Sequence, residues 1–516
     1  MLLLTLVLIA IPTILFLIIK WKNNYWKRIG LDYIEPVLFY GNTKGLINRS
    51  EPFAEIFENF YKHFKQRGQP HGGIFVGPRP AYIPVDLAII KNILLKDFSY
   101  FTDRGIYIQE EIDPLAAHLF NLDGEKWRNL RTKLTPAFTS GKMKMMFTTM
   151  TACTKGLVEI LDEHFLLDDP VNIKDILGRF TTDIIGSAAF GIDCNSLKNP
   201  DSDFRMYGKQ AFILPKRSIK NLLEIFMSQK SLGKLGVKFR KTPQDVEDFF
   251  LNVVSSTVDY RETNNIFRKD ALHLLLQLKN RGKITDDKDI FEKNLDEGNN
   301  KFLTIEEVAA QCFIFFIAGF ETSSTTMTFA ILELSLHQEM QNRLREEILT
   351  VLKRHNNEIT YDAIMEMNYL DKVINETLRK YPPLSIIPRQ CCKDYKIPNS
   401  NVTIEKGTLV VISTKAIHYD TDYYEDPERF DPERFNEENK AKRPPMTFLA
   451  FGEGPRLCIG ARFGLLQAKV GLVAILKHFK CTLNNKTKQP FEYDSCATVT
   501  SIKGDVWINV SKLNEN

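Results

Sequence analysis

The sequence predicts a mainly α-helical protein with small β-sheets at its margins, led by one apolar N-terminal helix. Three observations carry that expectation. Helical periodicity dominates from Asp86 to about residue 380. Strand-like alternation is confined to short stretches near residues 73–85 and 395–412 and at Val506, Ile508 and Val510. Residues 2–19 carry no charge, and only Thr5, Pro12 and Thr13 interrupt their apolar run. The 516 residues are 44% hydrophobic and 26% charged, a balance that fits a large buried core rather than a disordered or fibrous chain.

Taken in order, the first element is the apolar run. Eighteen helical residues span about 27 Å, close to a hydrocarbon core of about 30 Å. No basic residue precedes the run and no small-residue cleavage pattern follows it, so it reads as an uncleaved anchor over residues 1–20 rather than a signal peptide. Lys20, Lys22, Lys27 and Arg28 follow at once, with Trp21, Tyr25 and Trp26 as interfacial anchors; the positive-inside rule then puts the rest of the chain in the cytosol. Those four cations equal the whole net charge of +4, so the remainder balances and gives no footprint for nucleic acid. Residues 21–50 read as a linker into a domain over residues 51–516. Gly73-Ile-Phe-Val, Gly77-Pro-Arg-Pro and Ala81-Tyr-Ile-Pro-Val read as strand, turn and strand.

Two segments stand apart in composition. Residues 205–241 hold ten basic residues and one acid, Glu224, mixed with apolar side chains such as Phe212, Ile213, Leu214, Ile225 and Phe226. They read as a solvated face or as a second contact with anionic lipid. Residues 283–301 are polar and acid-rich and read as an exposed loop. Thr304-Ile-Glu-Glu307 is a capping box that starts the next helix.

That helix, expected over residues 305–336, would be about 48 Å long. It is apolar nearly all round from Val308 to Gly319 and therefore buried in a large domain. Into it falls Ala318-Gly-Phe-Glu-Thr-Ser-Ser-Thr-Thr326. Gly319 permits local widening there, and Glu321 with Thr322 would set an acid and an alcohol beside a reacting centre.

Eight cysteines show no CxxC, CxxCH or zinc spacing, and seven read as reduced, mostly buried thiols. Cys458 differs. Phe451-Gly-Glu-Gly-Pro-Arg-Leu-Cys458-Ile-Gly460 packs three glycines, a proline and an arginine around it, just ahead of a helical pattern. A helix N-terminus favours the thiolate. Such a cysteine serves either as a nucleophile or as the single protein ligand of a haem.

This ten-residue pattern resembles the haem-binding loop of the cytochrome P450 superfamily. The Ala-Gly-Phe-Glu-Thr stretch is similar to that family's oxygen-activating helix, and Glu376-Thr-Leu-Arg379, Pro432-Glu-Arg-Phe435 and Trp127-x-x-x-Arg131 fall in the expected order. The resemblance implies the cytochrome P450 fold preceded by one transmembrane helix, with haem b held by Cys458. It assigns Trp127, Arg131, Arg389 and Arg456 to the haem propionates, with Phe451 in the binding loop. Glu376, Arg379 and Arg434 would form a buried network under the cysteine loop. Spacing alone puts Glu376 and Arg379 opposite the apolar stripe of their helix, as a surface ion pair worth a few tenths of a kcal/mol. Departures from the family pattern are Pro36 alone where a proline-rich hinge is usual, Ala450 and Leu457.

The Phe-Glu-Thr-Ser-Ser-Thr-Thr version of the helix is similar to that of insect microsomal detoxification enzymes. What this implies is a monooxygenase of lipophilic small molecules (xenobiotics, plant toxins or insecticides) on the endoplasmic reticulum membrane. Glu321 and Thr322 would relay protons. Electrons would come from NADPH through a separate reductase docking near Lys126, Arg128, Lys133, Lys142 and Lys144. Alternatives with the same fold are a haem-thiolate isomerase or dehydratase needing no O2, and an endogenous lipid or hormone hydroxylase. The pocket is expected near residues 101–120, 314–322, 384–387 and 497–499.

Overall fold

The computed structural model describes residues 2–212, 228–284 and 302–513. Nearly all of the acid-rich stretch 283–301, and Ile213, Leu214, Glu224, Ile225 and Phe226 of the basic segment, lie outside the described residues.

Helices form most of the chain. Those that bear on the site are α1 (Leu2–Asn23), α2 (Tyr25–Arg28), α3 (Gly124–Leu134), α4 (Ser140–Leu166), α5 (Ile173–Ile185), α6 (Asp203–Ala211), α7 (Ile305–Leu336), α8 (Asn368–Lys380) and α9 (Ala461–His478). The strands are β1 (His71–Val76), β2 (Arg79–Pro84), β3 (Val171–Asn172), β4 (Ile386–Gln390), β5 (Tyr395–Lys396), β6 (Thr403–Ile404), β7 (Leu409–Ser413), β8 (Phe479–Leu483) and β9 (Trp507–Lys512). They form a four-stranded sheet in the order β1-β2-β7-β4, a three-stranded sheet β3-β9-β8 and the pair β5-β6. The expected strand–turn–strand is the antiparallel hairpin β1–β2.

α7 has the expected bounds for the expected reason. Thr304 Oγ1 accepts from Glu307 N at 3.2 Å, and Glu307 Oε2 accepts from Thr304 N at 2.9 Å, so the capping box closes both ways. The helix is long and apolar enough to cross a bilayer, yet most of its apolar stretch is buried against α5, α9 and neighbouring elements. It is the core helix. It also runs α-helical without interruption past Gly319, so no widened turn forms there.

The segment read as a linker joins the packed structure from Tyr25 onward. Trp26 is fully buried, and its indole N–H donates to Ile74 O at 2.8 Å. Ile34 N donates to Gly73 O at 3.0 Å and Asn42 N to Phe75 O at 2.7 Å, so this stretch runs alongside β1. Alternation was absent because the pairing is through isolated bridges, which leave no period-two pattern.

Two apolar clusters result. The larger is built around α4, α5, α7, α8 and α9. The smaller joins α2 to the β1-β2-β7-β4 sheet through Trp26, Phe75 and Tyr82. All eight cysteines are free thiols; Cys312, Cys391 and Cys481 are buried, whereas Cys496 is exposed.

Candidate active site

The cysteine loop is shaped by its backbone. Cys458 N donates to Phe451 O at 2.9 Å, closing the loop on itself. Gly454 has φ +75°, and a Cβ there would stand 2.1 Å from Leu94 O, so only glycine fits. α9 starts three residues past the cysteine. The open surface of Cys458 faces a cavity of about 290 Å³ where the two apolar clusters meet. Burial pushes the Cys458 thiol above its ordinary value, while the Gly460 N–H, Arg131 and Arg104 pull the other way.

A cluster of guanidinium groups rims the same cavity: Arg104, Arg131, Arg389 and Arg456, with Trp127 packed among them. Arg456 donates from Nε to Thr102 O at 2.8 Å and from Nη2 to Leu122 O at 2.7 Å, and its guanidinium lies 4.0 Å from the Trp127 ring centroid. Arg389 is 1% exposed; its Nη1 reaches its neighbour Pro388 O, and its buried Nε has no partner. Burial, then Arg456, pushes Arg389 down to about 9, and burial pushes Arg456 down to about 10. Arg104 is driven well below its ordinary value by burial and by Arg456 and Arg389. A carboxylate, Asp123, stands 3.8 Å from Arg456, but burial and Asp103 raise its own pKa to about 6. Crowded cations with an orphaned N–H call for anionic oxygens from outside the chain. The two propionates of haem b match that demand, and Cys458 supplies a sulfur ligand on the same cavity. The residues fit the group. Phe451, also expected in the site, lines the cavity; Arg104 was not singled out in the sequence as a cation of the site.

α7 separates its two expected catalytic residues. Thr322 lines the cavity with Cys458, its hydroxyl donating to Ala318 O at 2.6 Å. Glu321 faces a second, polar cavity of about 240 Å³ on the other side of the helix, with Lys174, Asp175, Arg205, Lys209 and Asp505. Adjacent helical residues point about 100° apart, so the pair does not share one wall. Burial raises the Glu321 pKa, and Lys174, Arg205 and Lys209 moderate the rise.

Beneath the cysteine loop, Glu376 and Arg379 are both fully buried, and the surface ion pair expected from spacing is corrected. Arg379 donates from Nε to Glu376 Oε2 at 2.7 Å and from Nη2 to Oε1 at 2.8 Å. Its Nη1 reaches His418 O at 2.9 Å, and Glu376 Oε1 accepts from Asp431 N at 2.9 Å. Arg434 Nε lies 3.4 Å from Glu376 Oε1. Charge-assisted bonds and backbone partners on every side make this burial tolerable. The face opposite the apolar stripe is covered by residues 418–434, which helical spacing cannot foresee.

Of the expected walls, Leu119, Phe120, Ile314, Leu384 and Ile387 line the main cavity; residues 497–499 do not. In the expected docking patch, Lys126 pairs with Glu110 at 2.8 Å and Lys144 with Asp362 at 3.4 Å. Arg128 is exposed on α3.

The family model described as Cytochrome P450 matches residues 34–507. The chain is similar to cytochrome P450 6A1 of Musca domestica, 42% identical over 503 residues, which cover 96% of this chain and 95% of that protein. It is also similar to two proteins of Drosophila melanogaster. Probable cytochrome P450 6a20 is 42% identical over 510 residues, covering 98% and 99% of the two chains. Cytochrome P450 6a2 is 40% identical over 510 residues with the same coverage.

Proposed function

The chain belongs to the cytochrome P450 family, and from that premise we propose that it inserts one oxygen atom from O2 into lipophilic small molecules such as xenobiotics. It is a haem monooxygenase, an oxidoreductase, and a supply of electrons from NADPH through a separate reductase suits that reading. The observation that carries the reading is the shared cavity: Cys458, Thr322 and the rim of arginines all face one apolar space.

Haem b, when bound, supplies O2 activation, sending one oxygen atom into the substrate and the other to water. The chain does the rest. Cys458 would offer its sulfur to the iron. Arg131, Arg389, Arg456 and Arg104 would bind the propionates, with Trp127 stacked against Arg456 and Phe451 on the loop side of the cavity. The Glu376–Arg379–Arg434 network holds that loop in position. Glu321, whose pKa burial raises, would serve as the acid in the second cavity and pass a proton towards Thr322. Thr322 presents a hydroxyl to the cavity and hands that proton on. Apolar walls at Leu119, Phe120, Ile314, Leu384 and Ile387 select lipophilic substrates and exclude water.

α1 is a helix of 22 residues, about 33 Å, which suits a single membrane crossing over residues 1–20. The basic residues after it favour the cytosolic face of the endoplasmic reticulum for the remainder, the haem domain. The reductase docks near Lys126, Arg128, Lys133, Lys142 and Lys144 on α3 and α4. NADPH consumption with purified reductase, with product carrying oxygen from labelled O2, tests the reading. Substrate turnover without O2 or NADPH would overturn it.

A further inference from the structure

The second cavity, across α7 from the Cys458 cavity, holds an arginine whose bonds are incomplete. Arg205, on α6, is 4% exposed and lines that cavity. Its Nη2 donates to Asp175 Oδ1, but its Nε and Nη1 are buried without a partner. The fold makes room for this guanidinium. Gly178 of α5 lies against it, and a Cβ there would stand 2.8 Å from Arg205 Nη1. A cation held this deep with unused N–H groups calls for an acceptor.

The carboxylates nearby do not supply that acceptor. Asp175 already takes Arg205 on Oδ1 and Arg179 on Oδ2, with Lys209 Nζ 3.9 Å away. Asp505 lines the cavity but is exposed. Glu321 is a Coulombic neighbour of Lys174, Arg205 and Lys209 without a hydrogen bond to any of them, and burial disfavours its charged form. Lys174 donates to Ile502 O at 2.7 Å and Gly504 O at 3.0 Å, which leaves one of its three N–H groups. The cations also crowd one another: burial and then Arg205 push Lys209 below its ordinary value. The space is about 240 Å³, and Lys209, with its side chain 58% exposed, gives it an edge on solvent. We propose that this cavity binds one small oxyanion of the phosphate type, which accepts from Arg205 Nε and Nη1 and pairs with Lys174 and Lys209. The occupant stands beside Glu321. On the monooxygenase reading, on which this consequence rests, its like charge holds the Glu321 proton more tightly and slows its transfer.

The test titrates inorganic phosphate into the full-length haem-loaded protein by calorimetry, in a buffer free of other oxyanions. One site per chain is expected. Gly178→Ala, which crowds Arg205 Nη1, and Lys209→Met, at an exposed side chain, should each weaken binding by about tenfold or more with the haem spectrum unchanged. No phosphate binding by the unsubstituted protein, or binding that either variant retains in full, would overturn the site. Calorimetry needs no turnover, so that failure leaves the monooxygenase reading standing, and failure of that reading leaves the site standing. With reductase, NADPH and O2 present, saturating phosphate should slow product formation by about twofold or more, an effect that Lys209→Met should blunt. Unchanged turnover of the phosphate-loaded protein would overturn the effect on Glu321.

Discussion

The backbone N–H of Leu449 donates to Nε2 of His418 at 2.9 Å, while the other ring nitrogen of His418 reaches Arg379 O at 3.0 Å. With Nε2 accepting, Nδ1 carries the proton, so the ring is neutral. His418 therefore bridges the buried Glu376–Arg379 pair to the strand of chain that runs two residues later into Phe451 and the cysteine loop. Replacing His418 by Phe should leave a buried N–H and a buried carbonyl unsatisfied and destabilise the protein by about 1–3 kcal/mol. Lower thermal midpoint and lower haem occupancy after purification are the expected readouts; wild-type values for both would contradict the bridging role.

The same histidine gives a pH dependence. Burial, then Arg379, pushes its pKa down to about 3, far below the unfolded-state value of about 6.5. The unfolded chain then binds more protons than the folded one between those values. Stability from this group is complete above about pH 6.5 and falls by about 1.4 kcal/mol for each unit below it. Denaturation midpoints measured from pH 7 to 4.5 should drop more steeply for the wild type than for His418→Phe. Parallel curves would contradict this.

Arg389 makes few bonds to its own protein but faces the cavity, so it should matter to the cofactor more than to the polypeptide. Arg389→Leu is expected to remove a charge-assisted bond to a propionate worth about 1.5–3 kcal/mol. Haem transfer to apomyoglobin should then speed up by about tenfold or more. An unchanged transfer rate would mean that the arginine cluster does not hold the haem.

Glu376→Gln should be severe, because it strands Arg379 as a buried cation with about 3–5 kcal/mol at stake. The expected outcome is little holoprotein at ordinary growth temperature and partial recovery at low temperature. Normal yield and spectrum would show that the network is dispensable.

Thr322→Val and Glu321→Gln separate the two cavities. Both should keep the ligand-free haem spectrum. Thr322→Val should divert NADPH electrons to hydrogen peroxide, whereas Glu321→Gln should slow turnover by about a hundredfold or more, as expected for a lost proton donor. Coupled, wild-type turnover in both variants would remove them from the reaction.

Much of the site was legible because its chemistry is local in sequence. The ten residues around Cys458 declare a backbone cradle that turns one sulfur to the cavity, and Thr304 with Glu307 marks the start of α7. What escaped depends on distant chain. Glu376 and Arg379 are buried because residues 418–434 fold over a face that helical spacing marks as outward. His418 and Arg104 belong to no local pattern, and only the fold brings them to the loop and the cavity rim. Glu321 was grouped with Thr322 by adjacency, yet the helical rotation between them puts each in a different cavity. The β1-side packing of residues 25–43 was invisible for a related reason, since single bridges leave no alternation.

The central claim is that Cys458 binds haem iron through sulfur. The most direct measurement is the reduced carbon-monoxide difference spectrum of membrane-expressed protein, beside a Cys458→Ala control. A strongly red-shifted Soret band in the wild type that is absent from the control is the expected result. A haem-replete wild type without that band, or a control that keeps it, would contradict the account.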